Sequence, residues 1–305
     1  MAMLMENGQE AVHANARAIY HSLQAFWELG KPRINALLLF SAFCAMVAAR
    51  HGVPPLRPAL VGLVGLGLAC AGAAMVNMWF DRDIDRVMER TQNRPLPQGE
   101  MAPSTALVAG LVLGLVGFVT LDVGVGALTA WLTVAGYLYY AVIYTMWLKR
   151  RTPQNIVIGG GAGAIPSLVG WAAVTGHLAP LAWLFFLIVF LWTPSHFWGL
   201  ALYRSEDYRR ASVPMMPVVR GARTTIAQML FYAFVLAGVD LAVSHFVVHP
   251  GLYLAVAGAL NAWFVAVHIR LALARSQIAI WAKRTFLASL VYLPVALLCV
   301  AVANV

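Results

Sequence analysis

Apolar runs separated by short polar breaks repeat along this chain at the length of a bilayer crossing. Nine of them fall at about 34–50, 58–80, 104–121, 125–147, 155–174, 180–203, 224–247, 250–269 and 285–303, each near the ~20 residues that carry a helix across ~30 Å of hydrocarbon. They are continuous and rich in glycine, alanine and leucine, whereas barrel strands are short and alternate. The pattern predicts an all-α membrane protein with nine transmembrane helices forming one domain over 34–305, preceded by a cytoplasmic or interfacial segment, 1–33. That segment lacks the charged, then apolar, then small-residue order of a signal peptide and is expected to be retained. Within it, Ser22 to Arg33 fits a short interfacial helix, with Phe26 and Trp27 toward lipid and Lys31 and Arg33 toward headgroups, or a simple anchor before the first span.

Composition agrees, and charge adds an orientation. At 61% hydrophobic and 11% charged residues, with a mean hydropathy of +0.76, the chain is integral to a membrane. Of its 21 basic residues, only Arg50 and Arg57 fall outside when the N-terminus is placed inside, so the positive-inside rule predicts N-inside, C-outside. The net charge of +9 is therefore a membrane signal and gives no reason to expect nucleic acid. A basic inner face attracts anionic lipid and an anionic substrate alike. Cys44, Cys70 and Cys299 lie inside spans without C-x-x-C spacing, which predicts small apolar packing residues, neither a disulfide nor a thiolate metal site.

The polar breaks carry the chemistry. After the second span the chain reads Asn77-Met-Trp-Phe-Asp81-Arg-Asp-Ile-Asp85-Arg-Val-Met-Glu-Arg-Thr-Gln-Asn93-Arg94-Pro-Leu-Pro. Asn77, Asp81 and Asp85 recur every fourth residue, which on a helix sets them on one face with Asp83 turned away. Oxygen ligands in such a row suit Mg²⁺, which keeps several waters and takes one or two carboxylates plus substrate phosphates. The arginines at 82, 86, 90 and 94 suit bidentate phosphate contacts, completing a diphosphate clamp. The competing reading is an interfacial loop whose acids and arginines neutralise each other. The position at a membrane helix end, with Asn77 one turn earlier and the N-R-P-L-P exit, favours the clamp. Lys149, Arg150 and Arg151 close the fourth span either as topology determinants or as further diphosphate contacts.

The fifth span opens on four glycines and Pro166 within 155–166, which suits a bend lining a cavity or close helix packing. The sixth ends in a second polar constellation, from Thr193-Pro-Ser-His196-Phe-Trp198 through Tyr203 and Asp207 to Arg220. Tyr203 and Asp207 repeat the offset of Asp81 and Asp85, so the two polar helix ends are expected to face each other across one cavity. An ionisable His196 two turns inside a span is expensive and usually faces a cavity or a partner. It fits an axial ligand of a haem iron or a histidine hydrogen-bonded within the bundle. For His245, His249 and His268 packing or interfacial roles are preferred, and Asp240 is a buried acid without an assigned role.

These motifs resemble a known family. N-x-x-x-D-x-x-x-D followed by R-T-x-N-R-P-L-P resembles the first aspartate-rich motif of the UbiA-type intramembrane prenyltransferases. T-P-S-H-F-W and E-D-Y-R-R-A-x-V-P-M-x-P-V-V-R-G are similar to the protohaem IX farnesyltransferase (haem O synthase) branch of that superfamily. The resemblance covers about Glu28 to the C-terminus. It implies a nine-helix UbiA-like bundle around a central cavity, in a bacterial-type inner (cytoplasmic) membrane with its active-site loops on the cytoplasmic side. It further implies Mg²⁺-dependent transfer of farnesyl from farnesyl diphosphate to a vinyl group of haem b, with water addition. Metal would be held by Asn77, Asp81 and Asp85, diphosphate by Arg82, Arg94, Lys149, Arg150 and Arg220, and haem by His196. A downstream haem-modifying oxidase is the implied partner. Where quinone-precursor enzymes carry the first acid of a second motif, this chain has Tyr203, so Asp207 is expected to assist the metal. Alternatives are a prenyltransferase with an aromatic quinone-precursor or chlorin acceptor, and a secondary transporter. Transporters tend to place coupling acids near the midplane, and here they stand at helix ends beside arginines.

Overall fold

A computed structural model describes residue 20 and residues 22–305. Arg17 and the opening of the N-terminal segment, including most of the stretch weighed as a signal peptide, lie outside the described residues. Among the described residues, nine helices are long and apolar enough to cross a membrane. They are α1 (Pro32–Arg50), α2 (Leu56–Val87), α3 (Pro103–Gly124), α4 (Ala127–Leu148), α5 (Asn155–Thr175), α6 (Pro180–Tyr203), α7 (Gly221–His245), α8 (Pro250–Leu273) and α9 (Ile278–Val302). All the expected spans are present, and two run about two turns further than their apolar pattern. α2 continues past Phe80 because Asp81, Ile84 and Asp85 are buried in the bundle. α9 begins at Ile278 because its first turns are amphipathic, with Ala282 and Thr285 buried while Lys283 and Arg284 are exposed.

Each long helix packs on the next, and α9 returns to α1 to close a ring. α1 also runs along α5, and α9 along α6, so α5 and α6 are the most enclosed of the nine. Without a hydrophobic drive between helices in lipid, such packing depends on small residues that let backbones approach. α2 meets α3 this way: a Cβ on Gly72 would lie 2.5 Å from the Gly110 carbonyl oxygen. The glycines that open α5 satisfy both expectations for them. A Cβ on Gly159 would run into the Tyr144 ring and one on Gly160 would come within 3.0 Å of Thr193, while both, with Gly163, line an internal cavity.

Two local features depart from the expected pattern. The last ten residues of α4, Tyr139–Leu148, wind as a π-helix, with the following amide, Lys149 N, reaching back five residues to Tyr144 O at 2.9 Å. α6 ends at Tyr203, Arg204 takes non-helical angles, and Asp207 sits on a separate short helix, Ser205–Arg210. Tyr203 and Asp207 therefore do not share a helix face, and their spacing does not repeat that of Asp81 and Asp85.

The N-terminal approach is also corrected. Residues 22–29 are helical, with Phe26 and Trp27 exposed as expected. Lys31, however, adopts φ 48°, ψ 59° as it caps α1, and its side chain turns into the bundle instead of toward headgroups. The role of Asp240 is now clear: its buried carboxylate accepts from Tyr253 Oη at 2.6 Å and Asn261 Nδ2 at 2.5 Å, with Tyr292 Oη 3.2 Å away. This network ties α7, α8 and α9 together. His268 packs in its own helix, with Nδ1 2.8 Å from Phe264 O.

The tightest approach is at Gly170, where a Cβ would collide with the Ala42 backbone of α1. Gly170→Ala is expected to lower stability by about 1–3 kcal/mol through overpacking. Gly258→Ala, at a site with nothing within 4 Å, should be near neutral. Thermal unfolding of both variants in detergent checks this, and equal midpoints would contradict the close-packing account.

Candidate active site

The polar end of α2 builds the site. Asn77, Asp81 and Asp85 are 4%, 1% and 2% exposed and share one face, as their spacing predicts, while Asp83 points outward. Asn77 Nδ2 donates to Asp81 Oδ2 at 2.8 Å and to Thr145 Oγ1 at 3.0 Å. The π-turns of α4 position Thr145, whose hydroxyl donates five residues back to Tyr140 O at 2.7 Å. After α2 the loop folds back, with Thr91 Oγ1 donating to Asp85 O at 3.1 Å. Pro95 then starts the short helix Pro95–Gln98 at a position where a missing N–H costs nothing. This return sets Arg94 Nη1 2.7 Å from Asp85 Oδ2.

Three more cations converge on the same face. Lys149 Nζ lies 2.5 Å from Asp81 Oδ2. Arg150 grips Asp83 with both terminal nitrogens, at 2.7 and 2.8 Å, and lies 3.5 Å from Asp81 Oδ1. Lys31 Nζ donates to Asn77 Oδ1 at 2.5 Å and to Tyr140 Oη at 3.2 Å. Burial first, then repulsion by Arg94 and Lys149, pushes the Lys31 ammonium down to about 7. The cations thus crowd one another around two buried acids, an arrangement that an incoming anion would relieve.

The oxygen donors also fit a hard divalent cation of the Mg²⁺ class, being one amide and two carboxylates. Asp81 Oδ1 is buried without a hydrogen-bond partner. Among the described residues no three His, Cys, Asp or Glu side chains converge as a metal-binding group. An ion on this face would therefore complete its shell with the amide oxygen, water and substrate oxygens.

The second polar segment meets the first. Arg204 Nη1 is 3.2 Å from Glu89 Oε2, and Arg90 Nη2 is 3.3 Å from Tyr208 Oη. Asp207 is buried, with Oδ1 2.6 Å from Arg210 and Oδ2 3.8 Å from Arg204 but unmatched by any hydrogen bond. Two expected phosphate contacts are not brought to the cluster. Arg82 folds back onto its own helix, bonding Trp79 O at 2.6 Å, and Arg220 is exposed without a polar partner among the described residues.

From Lys31 and Tyr140 a cavity of ≈ 390 Å³ runs into the apolar bundle between α1, α2, α4, α5, α6 and α9. His196 stands on its wall, stacked on Trp192 with ring centroids 4.3 Å apart. His196 Nδ1 is 2.8 Å from Ser289 Oγ, and that hydroxyl donates its single proton to Phe286 O at 2.6 Å. With the hydroxyl proton on Phe286 O, the serine oxygen is free to accept from Nδ1–H, a pairing that leaves Nε2 a lone pair for a metal.

Residues 38–290 match the UbiA prenyltransferase family. The chain belongs to that family. A Protoheme IX farnesyltransferase of Symbiobacterium thermophilum is 51% identical over 266 residues, spanning 87% of this chain and 89% of that protein. One of Aromatoleum aromaticum is 45% identical over 282 residues, 92% and 91% of the two chains. Among solved structures, one described for digeranylgeranylglyceryl phosphate synthase superposes with a TM-score of 0.78 at 17% identity, covering 93% of this chain and 98% of that one. A UbiA homologue from Archaeoglobus fulgidus bound to DMAPP and Mg²⁺ superposes with a TM-score of 0.65 at 14% identity, covering 91% and 99%. These two likenesses establish the UbiA fold.

For a UbiA prenyltransferase, sequence reading missed Lys31, Tyr140, Thr145 and Ser289. Lys31 has the pattern of an interfacial anchor, and only its left-handed backbone redirects it. Tyr140 and Thr145 reach the site through a π-helix that hydrophobic periodicity does not encode. Replacing Lys31 with Met removes a charge-assisted contact worth ~1.5–3 kcal/mol. Lys31→Met is expected to weaken binding of Mg²⁺-pyrophosphate about ten- to a hundredfold by calorimetric titration, and unchanged affinity would remove Lys31 from the site.

Proposed function

We propose that this membrane prenyltransferase transfers the farnesyl group of farnesyl diphosphate to a vinyl group of haem b, with addition of water, to give haem O. The observation that carries the reading is the buried, cation-crowded Asn77–Asp81–Asp85 face at the head of an apolar cavity walled by His196. The relatives' names supply the acceptor. Mg²⁺ on Asn77, Asp81 and Asp85, assisted by Asp207, would stabilise charge on the leaving diphosphate as a Lewis acid. Arg94, Lys149, Arg150 and Lys31 take its outer oxygens as the allylic C–O bond breaks and the electron pair leaves with oxygen. The vinyl π electrons then form the new C–C bond to farnesyl C1. Water adds to the carbon next to the macrocycle and loses a proton, leaving a hydroxyethylfarnesyl substituent. The apolar wall holds the isoprenoid and keeps bulk water from the first cation.

In this reading the basic end of the bundle faces the cytoplasm of a bacterial-type inner membrane, the N-terminus is inside and the C-terminus outside, and 34–305 act as one domain. The product would pass to a haem-modifying oxidase downstream. Membranes holding the wild type or Asp81→Asn, incubated with haem b, farnesyl diphosphate and Mg²⁺, test it by mass analysis of extracted haems. The wild type is expected to yield a farnesylated, hydrated haem, and the variant about a hundredfold less or none. Diphosphate release with a quinone precursor but not with haem b would move the acceptor and keep the clamp. His196→Leu should remove the Soret shift that ferric haem shows on binding the wild type. An unchanged Soret shift would leave His196 a packing residue.

A further inference from the structure

Beyond His196 and Phe197, the last α6 residues that line the cavity, α6 continues toward the basic end of the bundle. Tyr203 lies seven residues after His196, nearly the same direction around α6 and about 10 Å along its axis. α9 runs alongside: Ser289 holds His196 Nδ1 at 2.8 Å, and the Phe286 ring centroid is 4.9 Å from the imidazole. Gly199 between them lets the helices close, since a Cβ there would come within 3.3 Å of Phe286 N. One turn further, Lys283 Nζ sits 5.6 Å over the Tyr203 ring, with the Arg204 guanidinium 5.0 Å from the same centroid.

Two cations on one ring are not neutralised by it. A cation–π contact at an exposed site is worth only ~0.5–1 kcal/mol and removes no charge. Arg204 has Glu89 at 3.2 Å and Asp207 at 3.8 Å. Lys283 is exposed, and no carboxylate lies within ion-pair distance of it among the described residues. The α6–α9 seam therefore pairs an apolar upper part, containing His196, with a lower end of unmatched positive charge.

Haem b has the complementary form. It is a flat apolar plate with a central metal, two carboxylates on one edge and its vinyl groups away from that edge. The rise from His196 to Tyr203 is comparable with the span from a haem's iron to its propionate carboxylates. We propose that Lys283, held over Tyr203, anchors the propionate edge of the acceptor, an inference that rests on haem being the acceptor. Gripped there, the plate presents its vinyl-bearing edge to the interior of the bundle, and the lysine helps select which edge meets the isoprenoid.

The test is steady-state kinetics in nanodiscs of zwitterionic lipid, with haem b and with its propionate dimethyl ester as acceptors. Lys283→Gln is expected to raise the KM for haem b about tenfold, equivalent to ~1.4 kcal/mol, with Lys283→Arg recovering most of it. On the dimethyl ester, wild type and Lys283→Gln should be alike, and the KM for farnesyl diphosphate should stay the same in both. An unchanged KM for haem b, or an equal rise on both acceptors, would overturn the inference. A raised KM for farnesyl diphosphate would assign Lys283 to the diphosphate instead, and an effect confined to discs of anionic lipid would assign it to headgroups. A wild type that converts neither haem overturns the acceptor reading, and this inference with it.

Discussion

Two carboxylates buried one turn apart at the end of a membrane helix call for positive charge beside them, and much of this structure's polar architecture follows from that requirement. Asp81 and Asp85 are almost wholly enclosed. Their cations arrive from separate parts of the chain: Arg94 from the loop after α2, and Lys149 and Arg150 from the end of α4. Lys31, from the entry to α1, reaches the same face through Asn77. Each contact draws its segment onto the end of α2, so charge burial also organises the first half of the bundle. The cations that make the acids tolerable leave the face short of negative charge. Affinity for an anion would thus follow from how the carboxylates are kept buried.

The cavity beside this face has a different origin. Helices in lipid gain no hydrophobic advantage from meeting, so close contact comes from glycine. Backbones touch where glycines face each other on α2 and α3, or where Gly170 meets α1. An apolar space remains inside the bundle, lined on α6 and α9 by Trp192, Phe197, Leu290 and Leu293. Pro166 and the glycines at the start of α5 keep that side of the wall thin. The result is an apolar chamber with a charged head, a shape suited to a molecule that has an isoprenoid tail and an anionic end.

Much of this was legible in the sequence because its causes are local or periodic. Nine apolar lengths match nine membrane-crossing helices among the described residues, and the four-residue spacing of Asn77, Asp81 and Asp85 matches one buried face. The twin polar segments do meet, through Arg204 with Glu89 and Arg90 with Tyr208. What was illegible depends on a single backbone angle or on distant partners. Lys31 reads as an anchor until φ 48° turns it inward. Tyr203 and Asp207 read as one face until the helix breaks at Arg204. Arg82 bonds its own helix and Arg220 is exposed, placements that charge counting does not reveal. Asp240 reads as an unmatched acid because its partners, Tyr253, Asn261 and Tyr292, lie on other helices.

The proposed reaction makes two opposite demands on water, and the placement of polar groups answers both. An allylic cation next to a departing diphosphate is captured by whatever nucleophile is nearest, so the wall around the isoprenoid has to be apolar. The residues there, from Leu37 and Leu66 to Leu293, supply that wall. The second cation is conjugated with the macrocycle, is longer-lived for that reason, and has to meet water. An acceptor gripped at the basic end keeps one edge at the wet surface of the bundle while its reacting edge faces inward. In this reading water adds to the carbon beside the ring only after the C–C bond has formed. A single dry pocket would leave the second cation without its nucleophile, and a uniformly wet one would hydrolyse the first.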